Sequence, residues 1–240
     1  MIGNGLQDEK DAHSLTSCGR RSRLLLAALV LTEVVFAADI IDEWETAKVP
    51  PKPDLKAVTL DSKTTALLIL DIEKGNCGVR PRCIATLPDI KKLHDVARAA
   101  GAMLFYTVGN PRELADYFGT GFAPRTGEWV ARCSDTVKPP CQAGPDKFMG
   151  SGLDERLRAN GIKTVIVCGT SAQGVGIGTG SASAQRGYKV IYPVDCVSAE
   201  DSYMEQYAAW HMFKGGPTIV TRATTVTRSG MIKFGANSEK

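Results

Sequence analysis

Histidine is scarce in this chain: 240 residues hold three, at positions 13, 94 and 211, so a multi-histidine metal centre would have to use nearly all of them. Charge of one sign is not concentrated either. Lys and Arg number 29 against 26 Asp and Glu, a formal net charge of +3, with no run of five like charges. That balance argues against nucleic acid or an acidic membrane as the main partner. No GxxxxGK[ST] string occurs, which excludes a P-loop. No apolar run approaches the roughly 20 residues that a bilayer span requires.

What is present describes an ordinary globular chain: 43% apolar and 23% charged residues, 24 Gly and 12 Pro, long enough for one sizeable core. Seven Cys are more than a cytosolic chain of this size needs and raise the question of an oxidising compartment. The N-terminus bears on it. Arg20, Arg21 and Arg23 precede the apolar run Leu24 to Leu31, and short side chains at Val35 and Ala37 suit cleavage before Ala38. This is the layout of a secretory signal peptide over residues 1–37, and it implies a periplasmic or secreted protein with no membrane attachment once the signal is removed. An ordinary N-terminal helix behind a misplaced start is the other reading, and Glu33 supports it. His13 and Cys18 would leave with the signal.

Residues 38–63 are polar and proline-containing (VPPKPDLKAV) and read as an arm or surface strand leading into a domain over 64–240. From there short apolar runs alternate with amphipathic stretches. Strands are predicted over 64–72 (TTALLILDI), 102–108, 163–169 and 188–195, with a possible fifth at 218–221 (TIVT). Helices are predicted over 87–101 and 151–161, each stopped by a glycine, then over a glycine-rich stretch to Arg186 and over 199–213. The alternation defines a three-layer α/β/α fold around a parallel sheet with right-handed crossovers. Ligands of such sheets sit at the carboxyl ends of the strands. The residues there are Asp71, Gly109 and Asn110, the segment 169–174 and Asp195. The stretch 109–147 is longer than loops usually are and suits a lid or a cysteine-tied excursion.

Asp71 closes a strand buried on both sides, where an acid is costly unless hydrogen-bonded or used. Lys147, taken alone, would be a surface lysine just before a helix. Gly174, Gly176, Gly178 and Gly180 invite a dinucleotide reading, but the strand-to-helix turn itself is GTSAQ and the glycines fall inside the helix. That placement suits close helix packing or ligand floor space better than a pyrophosphate. No cofactor is expected.

Read in order, LLILDIEKG, DKFMGSGLDERLRANGIKTVIVCGTSAQG and RGYKVIYPVDCVSAEDSY resemble the isochorismatase-like (cysteine hydrolase) superfamily, over about 64–234. The resemblance implies a six-stranded parallel sheet flanked by helices and hydrolysis of a small-molecule substrate. It also implies an Asp, Lys and Cys triad and an oxyanion hole of backbone N–H groups beside a cis peptide. Asp71 then corresponds to the acid/base and Lys147 to the triad lysine. The cis bond falls near Thr170 and Ser171, and Gly174 and Val175 line the substrate turn. Val175 stands where the family's nucleophilic Cys belongs, and valine has no nucleophile. The region TVGNPREL lacks the histidine of the nicotinamidase metal site, and Gly109 stands where isochorismatases carry a substrate-contacting glutamine. The family's dimers and tetramers suggest a homo-oligomer.

Without a thiol the thioester route is lost. Protonation of an electron-rich carbon or leaving group followed by water attack needs only a positioned acid and a cation to set its state. The sequence therefore reads as a hydrolase acting by Asp71 and Lys147 on a vinyl ether or related C–O or C–N bond. The alternative is a catalytically silent binding or scaffold protein that keeps the fold. The six mature Cys allow about 15 complete pairings. Cys77 with Cys83 and Cys133 with Cys141 are the expected pairs because both lie in loops, leaving Cys168 and Cys196 free. Tyr203, Tyr207, Trp210 and His211 share helical spacing and predict a core or subunit-contact face.

Overall fold

The computed structural model describes residues 39–107, 128–131 and 144–235. Residues 1–37, expected to be a signal peptide, and Gly109, Asn110, Cys133 and Cys141 lie outside them. The chain divides into a unit ending at Lys48 and a second running from Val49. Residues 40–46 form turns, at whose start the Asp39 carboxylate accepts the N–H of Ile41 at 2.7 Å.

In the second unit the strands are β1 (Val58–Leu60), β2 (Thr65–Leu70), β3 (Met103–Thr107), β4 (Trp129–Ala131), β5 (Thr164–Thr170), β6 (Lys189–Pro193), β7 (Val197–Ser198), β8 (Thr224–Thr227) and β9 (Ile232–Phe234). The helices are α1 (Pro81–Ala99), α2 (Leu153–Ala159), α3 (Ile177–Gln185), α4 (Ser202–Trp210) and α5 (Thr218–Ala223). The main sheet runs β4-β3-β2-β5-β6-β8, every pair parallel, and β7 extends β5 past the end of β6. β1 and β9 form a separate parallel pair. The expected six-stranded parallel α/β architecture is therefore what the chain adopts.

The core explains the strand sequences. Ala66 to Leu70 of β2 are wholly buried because layers cover both faces of the sheet. Leu68, Leu70, Val165 and Val167 face the side of α2 to α5. Leu67, Ile69, Ile166 and Cys168 face α1, whose Ile90, Leu93 and Ala97 form one buried stripe. Each fully buried Leu or Ile contributes roughly 1.5–3 kcal/mol.

Helix ends follow the glycines. At Gly101, in the left-handed region (φ 78°), the Ala102 N–H reaches back to the Ala97 carbonyl and the Gly101 N–H to that of Arg98. Gly161 repeats the motif, with Ile162 bonded to Leu157. In both cases the next residue feeds a strand, so the helix stop also aims the chain at the sheet.

Two boundaries differ from expectation. The helix anticipated from position 87 begins at Pro81, which opens it at the first helical position and so tolerates its missing N–H; Pro88 lies within it. The strand expected at 218–221 is α5 instead, and β8 follows it. Pro217 caps that helix, Val220 alone is buried, and Ile219 is half exposed, so no alternating strand face exists there. Tyr203 and Tyr207 are exposed at 67% and 42%, which removes the core reading for that aromatic face.

Candidate active site

Asp71 follows the last residue of β2 and turns the chain with φ +53°, the one left-handed non-glycine among the described residues. Such a backbone persists only where its surroundings over-determine it. Here the Asp71 N–H donates to the Thr107 carbonyl at 3.2 Å, the Thr107 hydroxyl donates to Asp71 Oδ1 at 2.8 Å, and Asn76 Nδ2 donates to the Asp71 carbonyl. The other carboxylate oxygen, Oδ2, meets Lys147 Nζ at 2.7 Å. Both side chains are buried, 6% and 8% exposed. A buried ion pair of this kind is weak evidence for stability, since desolvation offsets its attraction, so its presence at a strand end points to chemistry.

Lys147 is held from several sides. Its N–H donates to Thr179 Oγ1 at 3.2 Å, and that hydroxyl donates onward to the Pro145 carbonyl at 2.9 Å. The Arg186 guanidinium lies 4.4 Å over the Phe148 ring, which stacks on Tyr188. Gly178 admits the loop: a Cβ there would lie 2.6 Å from the Pro145 carbonyl oxygen. Gly180 likewise admits Met212. The glycines of α3 thus serve close packing.

Beside Asp71, β5 ends in a cis peptide between Thr170 and Ser171, followed by a π-helical turn over Ala172–Gly176 that leads into α3. The Ser171 carbonyl accepts the N–H groups of Gly174 and Gly176, each at 3.1 Å. Gly169, with φ +143°, lets β5 approach β2: a Cβ there would lie 2.1 Å from the Leu70 carbonyl oxygen. Val175 is 6% exposed and shares an apolar cluster with Leu70, Phe148 and Ala172. Asp71, Lys147, Thr170, Ser171, Gly174 and Val175 are therefore gathered at one end of the sheet. Gly109 lies outside the described residues.

The turn over 170–176 contains no cysteine. Cys77 is bonded to Cys83, as expected, and Cys168 and Cys196 are free but wholly buried. The hydrogen bond with Cys168, together with burial, holds the Cys196 thiol well above the ordinary range and so keeps it protonated. Among the described residues no cluster of three or more His, Cys, Asp and Glu could hold a metal ion.

Sequence reasoning missed Thr107, Thr179 and Arg80. Thr107 obeys the same strand-end rule as Asp71 and could have been found by it. Arg80 donates from Nη1 to Thr170 Oγ1 at 3.4 Å, a contact across 90 positions that no local pattern announces.

An all-parallel α/β sheet with a buried carboxylate and ammonium at its carboxyl edge, beside a cis peptide turn, defines the class of the site. The isochorismatase domain model matches residues 65–224, two thirds of the chain. The chain belongs to the isochorismatase family, whose members are hydrolases. It is 27% identical over 162 residues to the uncharacterized isochorismatase family protein YwoC of Bacillus subtilis, covering 60% of this chain and 82% of that one. Its fold is similar to an isochorismatase from Pseudomonas putida KT2440 (TM-score 0.59, 17% identity, 73% of this chain and 93% of the other). It is also similar to the N-carbamoylsarcosine amidase of Thermoplasma acidophilum (TM-score 0.51, 22% identity, 74% and 99%).

Proposed function

We propose that this chain is an exported hydrolase of a small molecule that works by acid–base chemistry at Asp71 and Lys147, with no covalent nucleophile. The observation that carries the reading is the 2.7 Å pair between Lys147 Nζ and Asp71 Oδ2, retained and buried where Val175 has removed the thiol. In its protonated form Asp71 delivers a proton to the electron-rich carbon of a vinyl ether. Water adds to the resulting oxocarbenium, the hemiketal breaks its C–O bond, and the proton returns to Asp71, so the net change is the uptake of one water. Lys147 stabilises the carboxylate left between these steps. The backbone N–H groups of the 171–175 turn survive any side-chain change at 175 and would hold the departing oxygen, the one place where negative charge develops, as the hemiketal breaks its C–O bond.

The test is turnover of a panel of vinyl ethers, carbamoyl compounds and amides by the parent and by Asp71→Asn. Asp71→Asn is expected to lose activity by about 10²-fold or more, the usual contribution of a general acid. Equal turnover in the two proteins would remove the mechanism. Val175 packing into the apolar cluster with Leu70 and Phe148 favours a second reading, a binding protein that keeps the fold without turnover.

A further inference from the structure

Arg80 sits at the boundary between the loop after Asp71 and α1, and its guanidinium is only partly buried. Nε pairs with Glu200 Oε1 at 2.9 Å, and Nη1 donates to Thr170 Oγ1 at 3.4 Å. Leu70 is the register partner of Gly169, so Thr170 stands one step on, beside Asp71, on strands about 4.8 Å apart. Thr170 also pairs in register with Ser198, which places both hydroxyls on one face of the sheet, and the Thr170 hydroxyl donates its proton to the Ser198 carbonyl at 3.3 Å while accepting from Arg80. The Ser198 hydroxyl is wholly buried and has no hydrogen-bond partner among the described residues, an arrangement that costs about 1–3 kcal/mol unless something else satisfies it. No side chain among the described residues caps α1, so the positive end of a 19-residue helix adds to the same locality.

The counter-ion is weak by comparison. Glu200 is 58% exposed, and a solvent-facing pair of this kind contributes little. Glu200 occupies Nε, while Nη1 is the group that reaches the Thr170 hydroxyl. Arg presents five N–H donors in a fixed fork that matches a carboxylate.

We propose that Arg80, held in place by Thr170, anchors a carboxylate of the substrate through its remaining N–H donors, so that this family member acts on small carboxylic acids whose scissile bond lies over Asp71. The inference deepens the hydrolase reading, but it concerns binding and is tested without turnover. Titration calorimetry on the intact chain would compare benzoate with benzamide and propionate with propionamide, pairs alike in shape and different in charge. The parent is expected to bind the carboxylate of at least one pair about tenfold more tightly than its amide. Arg80→Gln should abolish that preference, and Glu200→Gln should strengthen it by freeing the guanidinium. The preference is read from binding alone in a protein that need not turn the ligand over, which separates this inference from the hydrolytic one. If Arg80→Gln proves misfolded by circular dichroism, Arg80→Lys serves instead and should weaken the preference several-fold, because a point charge lacks the fork. No preference in the parent for either pair, or an undiminished preference in the Arg80 variant, overturns the proposal.

Discussion

Thr179 Oγ1 accepts the backbone N–H of Lys147 at 3.2 Å and donates to the carbonyl of Pro145 at 2.9 Å, so one wholly buried hydroxyl on α3 fixes both ends of the lysine's approach to Asp71. The lysine is thus positioned by the same helix that follows the Val175 turn. Both halves of the site are anchored on one helix.

Thr179→Val keeps the volume and removes both bonds. It is expected to destabilise the fold by about 1–3 kcal/mol, the cost of leaving a buried N–H and carbonyl unpaired. Thr179→Ser should recover most of that loss. Urea denaturation of the three proteins decides the point, and a valine variant as stable as the parent contradicts it.

Lys147→Met leaves the Asp71 carboxylate buried with Thr107 alone. A loss of about 3–5 kcal/mol is expected. The double variant Asp71→Asn with Lys147→Met removes both charges and should be more stable than Lys147→Met alone. An additive double variant in chemical denaturation would show that the pair is uncoupled.

Val175→Cys places a thiol on the turn beside Asp71 and Lys147. Iodoacetamide should label one more thiol than in the parent, since Cys168 and Cys196 are buried. Amide hydrolysis should appear where the parent has none, showing that the remainder of the thiol-dependent site is intact. A labelled variant that hydrolyses no amide favours the silent binding protein.

His94 is wholly buried, with Nε2 at 3.0 Å from the Tyr106 hydroxyl and Nδ1 at 3.0 Å from Asp95 Oδ1; Arg98 and Glu128 complete the cluster. Burial pushes its pKa below the ordinary value of 6.5, against the opposing pull of Asp95. The unfolded chain therefore takes up a proton first as pH falls. Stability is full above about pH 6.5 and declines below it toward the depressed folded value. His211 shifts the same way through burial. Thermal unfolding between pH 7.5 and 5 should show the decline, and His94→Gln should flatten most of it. A parent profile that is flat across this range contradicts the assignment.

The strands that carry the site were legible because burial on both faces leaves little choice of residue: TALLIL and TVIVCGT are apolar apart from their terminal threonines. TIVT is as β-branched as any strand, yet it forms α5 because Pro217 opens a helix there and the sheet edge is filled by the next four residues. Asp71 announced itself as an acid on an apolar strand. Lys147 carried no such signal, since a lysine before a helix is ordinary until its partner is known. Thr107, 36 positions from Asp71, and Arg80, 90 positions from Thr170, act through contacts that only the assembled sheet creates.

The pairing of β1 with β9 joins the opening and closing strands of the folded unit through three residues on each side. Contacts between such distant stretches of chain gain nothing until the intervening sheet has closed the loop between them. The clasp is then a late arrival in folding and an early departure on heating, so amide exchange along Val58–Leu60 reports local opening while β2 and β5 still hold the site together.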